Sequence, residues 1–259
     1  MSPSALPAQT STDAELREAR TWTLQGLRAA YCIRFLVEPE LASKELREGS
    51  VLLPAERDQT LHPALRQIVS SQPEFASWVP SNLCFYYMDA VQVGRRRLAE
   101  RDRRYQMIGV WSLAATEAEG GTRRDLAVDM YASRNSLLQA AKTALVRLHE
   151  VRTTVYDKAD STFDIYSTKI GKTELVWTGR QTGDSTKVDD RFQESWSVSG
   201  LRPSVRVARL DFNPAWSWPL VGSLRVEGKG DLAKALRSSP IRFVGPLYRG
   251  GVGRFRFSR

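Results

Sequence analysis

Segments with β-strand character recur along most of the chain, and this recurrence limits the folds open to it. Each is rich in β-branched or aromatic residues and ends at glycine, proline or a polar cluster. Several follow one another without room for a helix, which favours antiparallel pairing through hairpins. The predicted strands are residues 30–37, 82–93, 105–116, 125–131, 152–157, 164–178 with a turn at Gly171, 204–212, 220–226 and 241–257 with an internal loop.

A smaller number of segments show helical spacing of apolar residues. Helices are predicted over residues 54–72, 135–150 and 231–237, and a capping-box pattern at Thr12 predicts a further short one. Strands outnumber helices. The predicted fold class is therefore α+β, with antiparallel sheets and packed helices.

The chain of 259 residues is long enough for one large domain or two small ones. Residues 1–20 are predicted to form a flexible N-terminal tail and a short helix. Residues 21–190 are predicted to form an α+β region with a basic insertion at 94–104. Residues 191–259 are predicted to form a β-rich region with a glycine-rich loop.

Positive charge is concentrated in two segments. The chain has 38 Lys and Arg residues against 29 Asp and Glu, a net charge of +9. Residues 95–104 contribute +4 and residues 225–259 contribute +7, so the remainder is close to neutral. Local charge of this kind favours a nucleic-acid partner, although a solvated hairpin or helix face explains the first segment as well. The arginines of that segment are Arg95, Arg96, Arg97, Arg101, Arg103 and Arg104.

Other classes of function have little support. Cys32 and Cys84 are too few for a disulfide framework, and with two histidines they do not suggest a metal site. No cofactor or metal is expected. The sequence contains no apolar stretch of membrane-spanning length and does not begin with a secretory signal pattern, so we expect a cytoplasmic protein without membrane association.

The C-terminal segment combines glycines, aromatic residues and arginines. Gly245 is followed after five residues by Gly251-Val252-Gly253, and Tyr248 and Arg249 lie in the intervening loop. Loop N–H groups beside such glycines can bind phosphate. Arg254 and Arg256 share one face of the closing strand, where they can meet an anion. A bulged hairpin turn explains the same glycines equally well.

This arrangement of a short helix, a strand, a glycine-rich loop and a basic strand over residues 220–259 resembles the RAMP superfamily of CRISPR-associated proteins. In place of the first glycine usual in that family the sequence has Phe243. The resemblance implies ferredoxin-like (RRM-like) units and binding of CRISPR RNA within a complex of other protein subunits. In this segment the RNA-contacting candidates are Gly245, Tyr248, Arg249, Gly251, Gly253, Arg254 and Arg256. The six arginines of 95–104 lie outside the resemblance and are RNA-binding candidates through their charge.

Catalytic activity is left open by the sequence. If the protein cleaves precursor RNA without a metal, His62 is the candidate general base, because His149 is better explained by a favourable contact at a helix end. The alternative to RNA binding is an α+β enzyme or binding protein for a small anionic ligand, with the glycine loop as the anion site. A scaffold within a larger complex is a third possibility.

Overall fold

Most of the described chain is β-strand. The computed structural model describes residues 20–46, 50–99, 106–116, 121, 123–133, 148–157, 163–170, 173–181, 183–188, 192–199 and 205–257. The strands are β1 Arg20–Val37, β2 Val51–Leu52, β3 Val79–Val93, β4 Arg96–Ala99, β5 Gln106–Thr116, β6 Arg123–Ala132, β7 Leu148–Asp157, β8 Phe163–Ile170, β9 Thr173–Gln181, β10 Thr186–Lys187, β11 Phe192–Ser199, β12 Val205–Asn213, β13 Trp216–Trp218, β14 Leu220–Gly228, β15 Arg242–Val244, β16 Leu247–Arg249 and β17 Val252–Phe257. The described helices are α1 Pro39–Lys44, α2 Pro63–Ser71 and α3 Asp231–Ser238, with 3-10 turns at Ala55–Arg57 and Pro73–Phe75.

Seven strands close on one another to form what we call the ring. Its order is β1, β3, β5, β6, β11, β12 and β17, and β17 pairs again with β1. All of these pairs are antiparallel except β6 with β11. Beyond β17, the remainder of β1 pairs with β16 and β15, so its C-terminal end lies beside residues 242–248.

The inner face of the ring is apolar over most of its length. Strands pack side chains on alternate faces, so every second residue points inward. The buried inward cluster draws on six of the seven ring strands and includes Trp22, Leu24, Tyr86, Met88, Val110, Met130, Leu210, Phe212 and Phe255.

A second, four-stranded sheet covers part of the outside of the ring. It is formed by β7, β8, β9 and β14, all paired antiparallel. A second core lies on the outward face of β1, β3 and β5, where Tyr31, Phe85 and Trp111 pack in one cluster with Leu175 of β9 and Leu236 of α3. Because β5 is covered on both faces, every one of its residues is buried.

One end of the ring is covered by a segment that we call the cap, residues 53–78. Leu61 and Leu65 of the cap pack on Leu36 of β1, together with Ala55. The segment contains the two 3-10 turns and α2. None of the described helices is long and apolar enough to cross a membrane.

The predicted fold class, α+β with helices packed on ferredoxin-like sheets, is wrong. The described helices have only six to nine residues, whereas the strands form a closed ring and a covering sheet. The apolar runs at 82–93 and 105–116 are continuous because the strands are buried on both faces. A second sheet provides that cover here, a role the prediction assigned to helices.

Individual elements were predicted with mixed success. The strands at 30–37, 82–93, 105–116 and 125–131 and the helix at 231–237 are confirmed, with β1 beginning ten residues earlier than predicted. The predicted helix 54–72 divides into a 3-10 turn and α2, and residues 148–150 of the predicted helix 135–150 belong to β7. Residues 1–19 and 134–147 lie outside the described residues. The boundary predicted at residue 190 falls between strands of one ring.

Candidate functional site

Polar side chains interrupt the apolar interior at the capped end of the ring. Arg34 of β1 pairs with Asn82 of β3, and Asn82 pairs with Ser112 of β5. The three residues share the inward face with the buried apolar cluster, so we call them the polar row. Neighbouring strands lie about 4.8 Å apart, so the row extends over about 10 Å.

The polar row has unused hydrogen-bonding capacity. Ser112 is 1% exposed, and its Oγ has no hydrogen-bond partner among the described residues. The side chains of Arg34 and Asn82 are half-buried and likewise make no hydrogen bond or ion pair with another described residue. Because buried polar groups are almost always paired, the unpaired hydroxyl of Ser112 beside these two half-buried side chains indicates a place where a polar ligand can bind.

Gly245 makes room for the guanidinium of Arg34. A Cβ atom at position 245 would lie 2.9 Å from Nη1 of Arg34, closer than such atoms normally approach. The N–H of Gly245 donates to the carbonyl of Cys32 over 2.9 Å. Phe243, directly opposite Arg34 on β15, lies on the same face. The turn after β15 is therefore built around Arg34.

His62 of the cap lies beside this turn. Its ring stacks on Phe243 with the two centroids 4.2 Å apart. Its Nδ1 accepts the N–H of Ala64 over 3.2 Å, which caps α2. Burial lowers the pKa of His62, and the positive charge of Arg34 lowers it further. A neutral imidazole with Nδ1 accepting carries its proton on Nε2, where it can donate a hydrogen bond. The role of general base for His62 stays a prediction.

A buried ionic chain joins the cap to β6 on the same face. Nε of Arg123 lies 3.0 Å from Oδ2 of Asp58, and Nη2 lies 3.0 Å from Oδ1 of Asp125. Asp58 also accepts the N–H and hydroxyl of Thr60, over 2.9 and 2.7 Å. Burial alone would lower the pKa of Arg123, but Asp125 and Asp58 raise it, so the guanidinium stays charged.

Arg123 contacts two carboxylates, Asp58 and Asp125, and the negative charge of Asp125 is the less well compensated. Burial raises its pKa, and the nearby positive charge of Arg123 offsets only part of that effect. Oδ1 of Asp125 is close to Nη2 of Arg123, but the angle is not that of a hydrogen bond, and no described residue bonds to this oxygen. Asp125 pairs with Ala114, two residues along β5 from Ser112.

A cavity of about 420 Å³ opens beside this ionic chain. Its lining includes Thr116 and Arg123 of the ring, Asp58 and Thr60 of the cap, and Leu52 of β2. Thr116 lies four residues along β5 from Ser112, or about 13 Å. The cavity is therefore on the same face of β5 and β6 as the polar row, towards the edge of the ring.

Other chemistries have weaker support from the described residues. Lys44, Lys187, Lys229 and Lys234 are all exposed, so none of them is a desolvated amine nucleophile. Lys142, Lys158, Lys169 and Lys172 lie outside the described side chains. Within the described ranges, no group of three His, Cys, Asp or Glu residues is arranged to hold a metal ion.

The arginines of 95–104 lie far from the polar row. Arg95, Arg96 and Arg97 are exposed on a hairpin between β3 and β4. Along β3, the hairpin is eleven residues from Asn82, which is about 36 Å. A hairpin at this position was one of the two predicted alternatives. Arg101, Arg103 and Arg104 lie outside the described residues.

The C-terminal glycines serve contacts within the protein. A Cβ at Gly251 would lie 1.7 Å from the carbonyl oxygen of Asn213, and Gly253 is paired on both sides with Leu24 and Phe212. The N–H groups of Gly245 and Gly250 donate to Cys32 and Leu27. Their amides are thus already occupied and cannot also bind phosphate.

The side chains predicted to bind RNA in this segment lie in several environments. Tyr248 packs against the inner core at an edge-to-face angle with Phe212. Arg249 lies over the ring of Trp218, 5.6 Å from its centroid, and Arg256 pairs with the buried Asp211. Arg254 is exposed on β17.

Comparisons with solved structures identify the fold. The chain is similar to the crystal structure of acetoacetate decarboxylase from Legionella pneumophila, with a TM-score of 0.56, 10% identity and coverage of 99% of this chain and 96% of that one. A second acetoacetate decarboxylase structure matches with a TM-score of 0.51, 9% identity and coverage of 97% and 93%. No protein-family model and no curated protein matches the chain.

The chain therefore has the acetoacetate decarboxylase-like fold, and the predicted RNA-binding function is wrong. Neither matched structure is a CRISPR-associated protein. The glycines that suggested RNA binding are explained by contacts within the protein. At Gly251 the backbone packs closely, and at Gly245 a Cβ atom would lie too close to the guanidinium of Arg34.

Proposed function

We propose that this protein is an enzyme that acts on a small carboxylic acid, which it binds at the polar row beneath the cap. The observation that carries the proposal is the half-buried guanidinium of Arg34, which makes no hydrogen bond to another described residue although it lies in the ring interior. A guanidinium matches a carboxylate in shape and charge and can bind it through two parallel hydrogen bonds.

The neighbours of Arg34 suit the rest of such a ligand. Asn82 and Ser112 offer donors and acceptors about one and two strand spacings away. His62, neutral and with its proton on Nε2, supplies another donor from the cap. Donors fixed in a water-poor site stabilise negative charge that develops on a ligand oxygen, which is how enolate-forming reactions are accelerated.

The fold supports the same class of ligand. The matched structures are named acetoacetate decarboxylases, and acetoacetate is a short carboxylate with a second oxygen function. Lysine-based imine chemistry would need a desolvated lysine, which the four described lysines are not. The proposal therefore rests on acid recognition by Arg34 and not on a particular nucleophile.

The test is binding of acetoacetate, measured by calorimetry, with turnover followed by proton NMR. We expect the wild type to bind acetoacetate and Arg34→Gln to bind it about ten- to a hundredfold more weakly, because one charge-assisted pair is lost. Methyl acetoacetate, which lacks the charge, should bind weakly and show no dependence on Arg34. Arg28→Gln is the matched control, since Arg28 lies on the same strand but is exposed and pairs with Asp89.

Two outcomes would contradict the proposal. Equal affinity of Arg34→Gln and wild type would remove Arg34 from acid recognition. Binding of acetoacetate without turnover would mean that the protein is not an enzyme for that acid.

A further inference from the structure

A disulfide lies in the ring next to the polar row. Cys32 of β1 and Cys84 of β3 are directly opposite each other and are bonded. Arg34 and Asn82, the next inward pair on the same two strands, are also directly opposite each other. Alternate residues share a face, so the disulfide and the Arg34–Asn82 pair are consecutive inward positions of the same ladder.

We propose that the Cys32–Cys84 disulfide is a redox modification site that controls ligand affinity at the polar row. The oxidised protein has the competent site, and a dithiol reductant converts it to a weaker-binding form. This inference rests on the proposed function for the identity of the ligand. The structural change at Gly245 on reduction does not depend on that function.

The disulfide is connected to Arg34 through Gly245. The carbonyl of Cys32 accepts the N–H of Gly245 over 2.9 Å, and it lies 3.7 Å from the position a Cβ at 245 would occupy. That same position is 2.9 Å from Nη1 of Arg34. A movement of the Cys32 backbone is therefore transmitted to Gly245 through one hydrogen bond, and Gly245 lies against the guanidinium of Arg34.

Reduction must produce such a movement. Two thiol sulfurs repel each other at bonding distance, so the side chains of Cys32 and Cys84 must separate when the bond is broken. Cys84 is 3% exposed and both cysteines pack on the inner core, where close packing leaves little space for rearrangement. The displacement is therefore shared with the backbone of β1 and β3.

The fold does not depend on the disulfide. β1 and β3 are paired over fourteen residue positions, from Trp22 with Val93 to Val37 with Val79. Those ladder hydrogen bonds and both cores hold the two strands together without it. Reduced cysteines behave as small apolar side chains in such a core. Reduction is thus expected to change the site locally and to leave the protein folded.

The exchange reaction begins at the more accessible sulfur. Cys32 is half-buried, whereas Cys84 is buried. A thiolate of the reductant attacks Sγ of Cys32, forms a mixed disulfide and releases the Cys84 thiolate, which takes up a proton. The second thiol of the reductant then displaces Cys32. The reductant is oxidised to a disulfide, and the two electrons that it gives up reduce the protein disulfide to two thiols.

The experiment compares oxidised protein with protein reduced by dithiothreitol, with alkylation and mass spectrometry to count thiols. We expect acetoacetate to bind about tenfold more weakly to the reduced protein, the loss of roughly one charge-assisted hydrogen bond. Hydrogen exchange of the peptide that contains Gly245 should be faster after reduction, and circular dichroism should be unchanged. Cys32→Ala/Cys84→Ala should match the reduced protein and no longer respond to the reductant.

The result that would overturn the inference is equal affinity and equal exchange at Gly245 in both redox states. Free thiols in air-purified protein, or resistance of the folded protein to dithiothreitol, would also overturn it. If acetoacetate binds to neither form, the proposed function fails, and hydrogen exchange at Gly245 still decides whether the disulfide acts on this turn.

Discussion

Ser81 and Ser112 are both buried serines on neighbouring strands, but their hydroxyls have different partners. Oγ of Ser81 donates to the carbonyl of Ser112 and accepts the indole N–H of Trp111, over 2.8 and 3.0 Å. Oγ of Ser112 has no hydrogen-bond partner among the described residues. The first serine stabilises the fold, whereas the second carries an uncompensated desolvation cost.

This difference gives a direct test of the site. Ser112→Ala should leave the free energy of unfolding within about 0.5 kcal/mol of wild type or raise it, because no hydrogen bond is lost. Ser81→Ala is the matched comparison and should lower it by about 1–3 kcal/mol, since it leaves the indole N–H unpaired. Urea denaturation without ligand measures both. Equal losses in the two variants would show that Ser112 is paired.

Gly245→Ala tests how Arg34 is seated. The added methyl group would lie 2.9 Å from Nη1, so the guanidinium must move. We expect acetoacetate affinity to fall about tenfold, as for partial loss of a charge-assisted pair. In the Arg34→Gln background the same substitution should have almost no further effect. Additive losses in the double variant would show that Gly245 acts elsewhere.

His62 gives the protein a predictable pH dependence. The pKa of His62 is lowered in the folded state from about 6.5, so as the pH falls through that value the unfolded state takes up a proton that the folded state does not. The stability contributed by neutral His62 is therefore present above this pH and is lost below it. His62→Asn retains a side chain that can cap α2. Its melting temperature should fall less than that of wild type between neutral and mildly acidic pH.

Asp125 would give the folding stability the opposite dependence on pH. Its pKa is raised in the folded state, so the stability gained from its protonated form is fully present below the unfolded pKa of about 4 and is lost as the pH rises through the folded pKa. A wild type whose stability rises continuously on acidification from neutral pH would contradict the assignment to His62.

The residues of the site were only partly predictable. His62 and Gly245 were identified from the sequence, one for its chemistry and the other for its place in a glycine pattern, but the reasons given for them differ from those in the structure. Arg34 and Asn82 were missed, although each interrupts an apolar strand at a position that faces inward. The pattern marks such residues, but which face becomes the interior depends on how the strands pair.

At the scale of elements, the cap is the segment on which the site depends most. It supplies His62 and Asp58, and it is attached to the ring by contacts of Leu61 and Leu65 with Leu36. Leu65→Ala removes part of this contact from a residue that is 2% exposed. We expect a loss of about 2–5 kcal/mol in stability where the cavity cannot close.

The effect should be local to the cap. Hydrogen exchange of the α2 peptide should increase more than that of β3 or β5, and acetoacetate affinity should fall. Gln67→Ala, on the exposed face of the same helix, is the control and should change neither. Uniformly faster exchange throughout the protein would show that the cap does not open separately.

The elements themselves were easier to predict than their arrangement. Alternation and β-branched composition located most strands within a few residues, because they are local properties. Neither property indicates that β17 pairs with β1 or that β11 lies parallel to β6. Those contacts join residues far apart in the chain, so the choice between helices and a second sheet as the outer cover could not be made from sequence patterns.

At the scale of the whole molecule, β17 is the strand on which closure of the ring depends. Its six residues pair with β1 on one side and with β12 on the other. Phe255, which is fully buried, contributes to the inner core. A chain that ends at Gly250 should expose two strand edges and be recovered mainly in the insoluble fraction.

Arg256→Ala in the full chain is a milder comparison. It removes an ion pair with the buried Asp211 and leaves the ladder in place. We expect this variant to remain soluble and monodisperse in size-exclusion chromatography. Full solubility of the shortened chain would show that the ring is stable when open.

The pairing of β1 with β17 also sets the order of events during synthesis. β3 follows β1 after about forty residues and can pair with it early, but the other edge of β1 has to wait until residues 242–257 have left the ribosome. At translation rates of about 5–20 residues per second, that edge stays uncovered for roughly ten seconds or more. A nascent chain of this protein is therefore a natural client for chaperones that shield strand edges, and slow translation would lengthen its exposure.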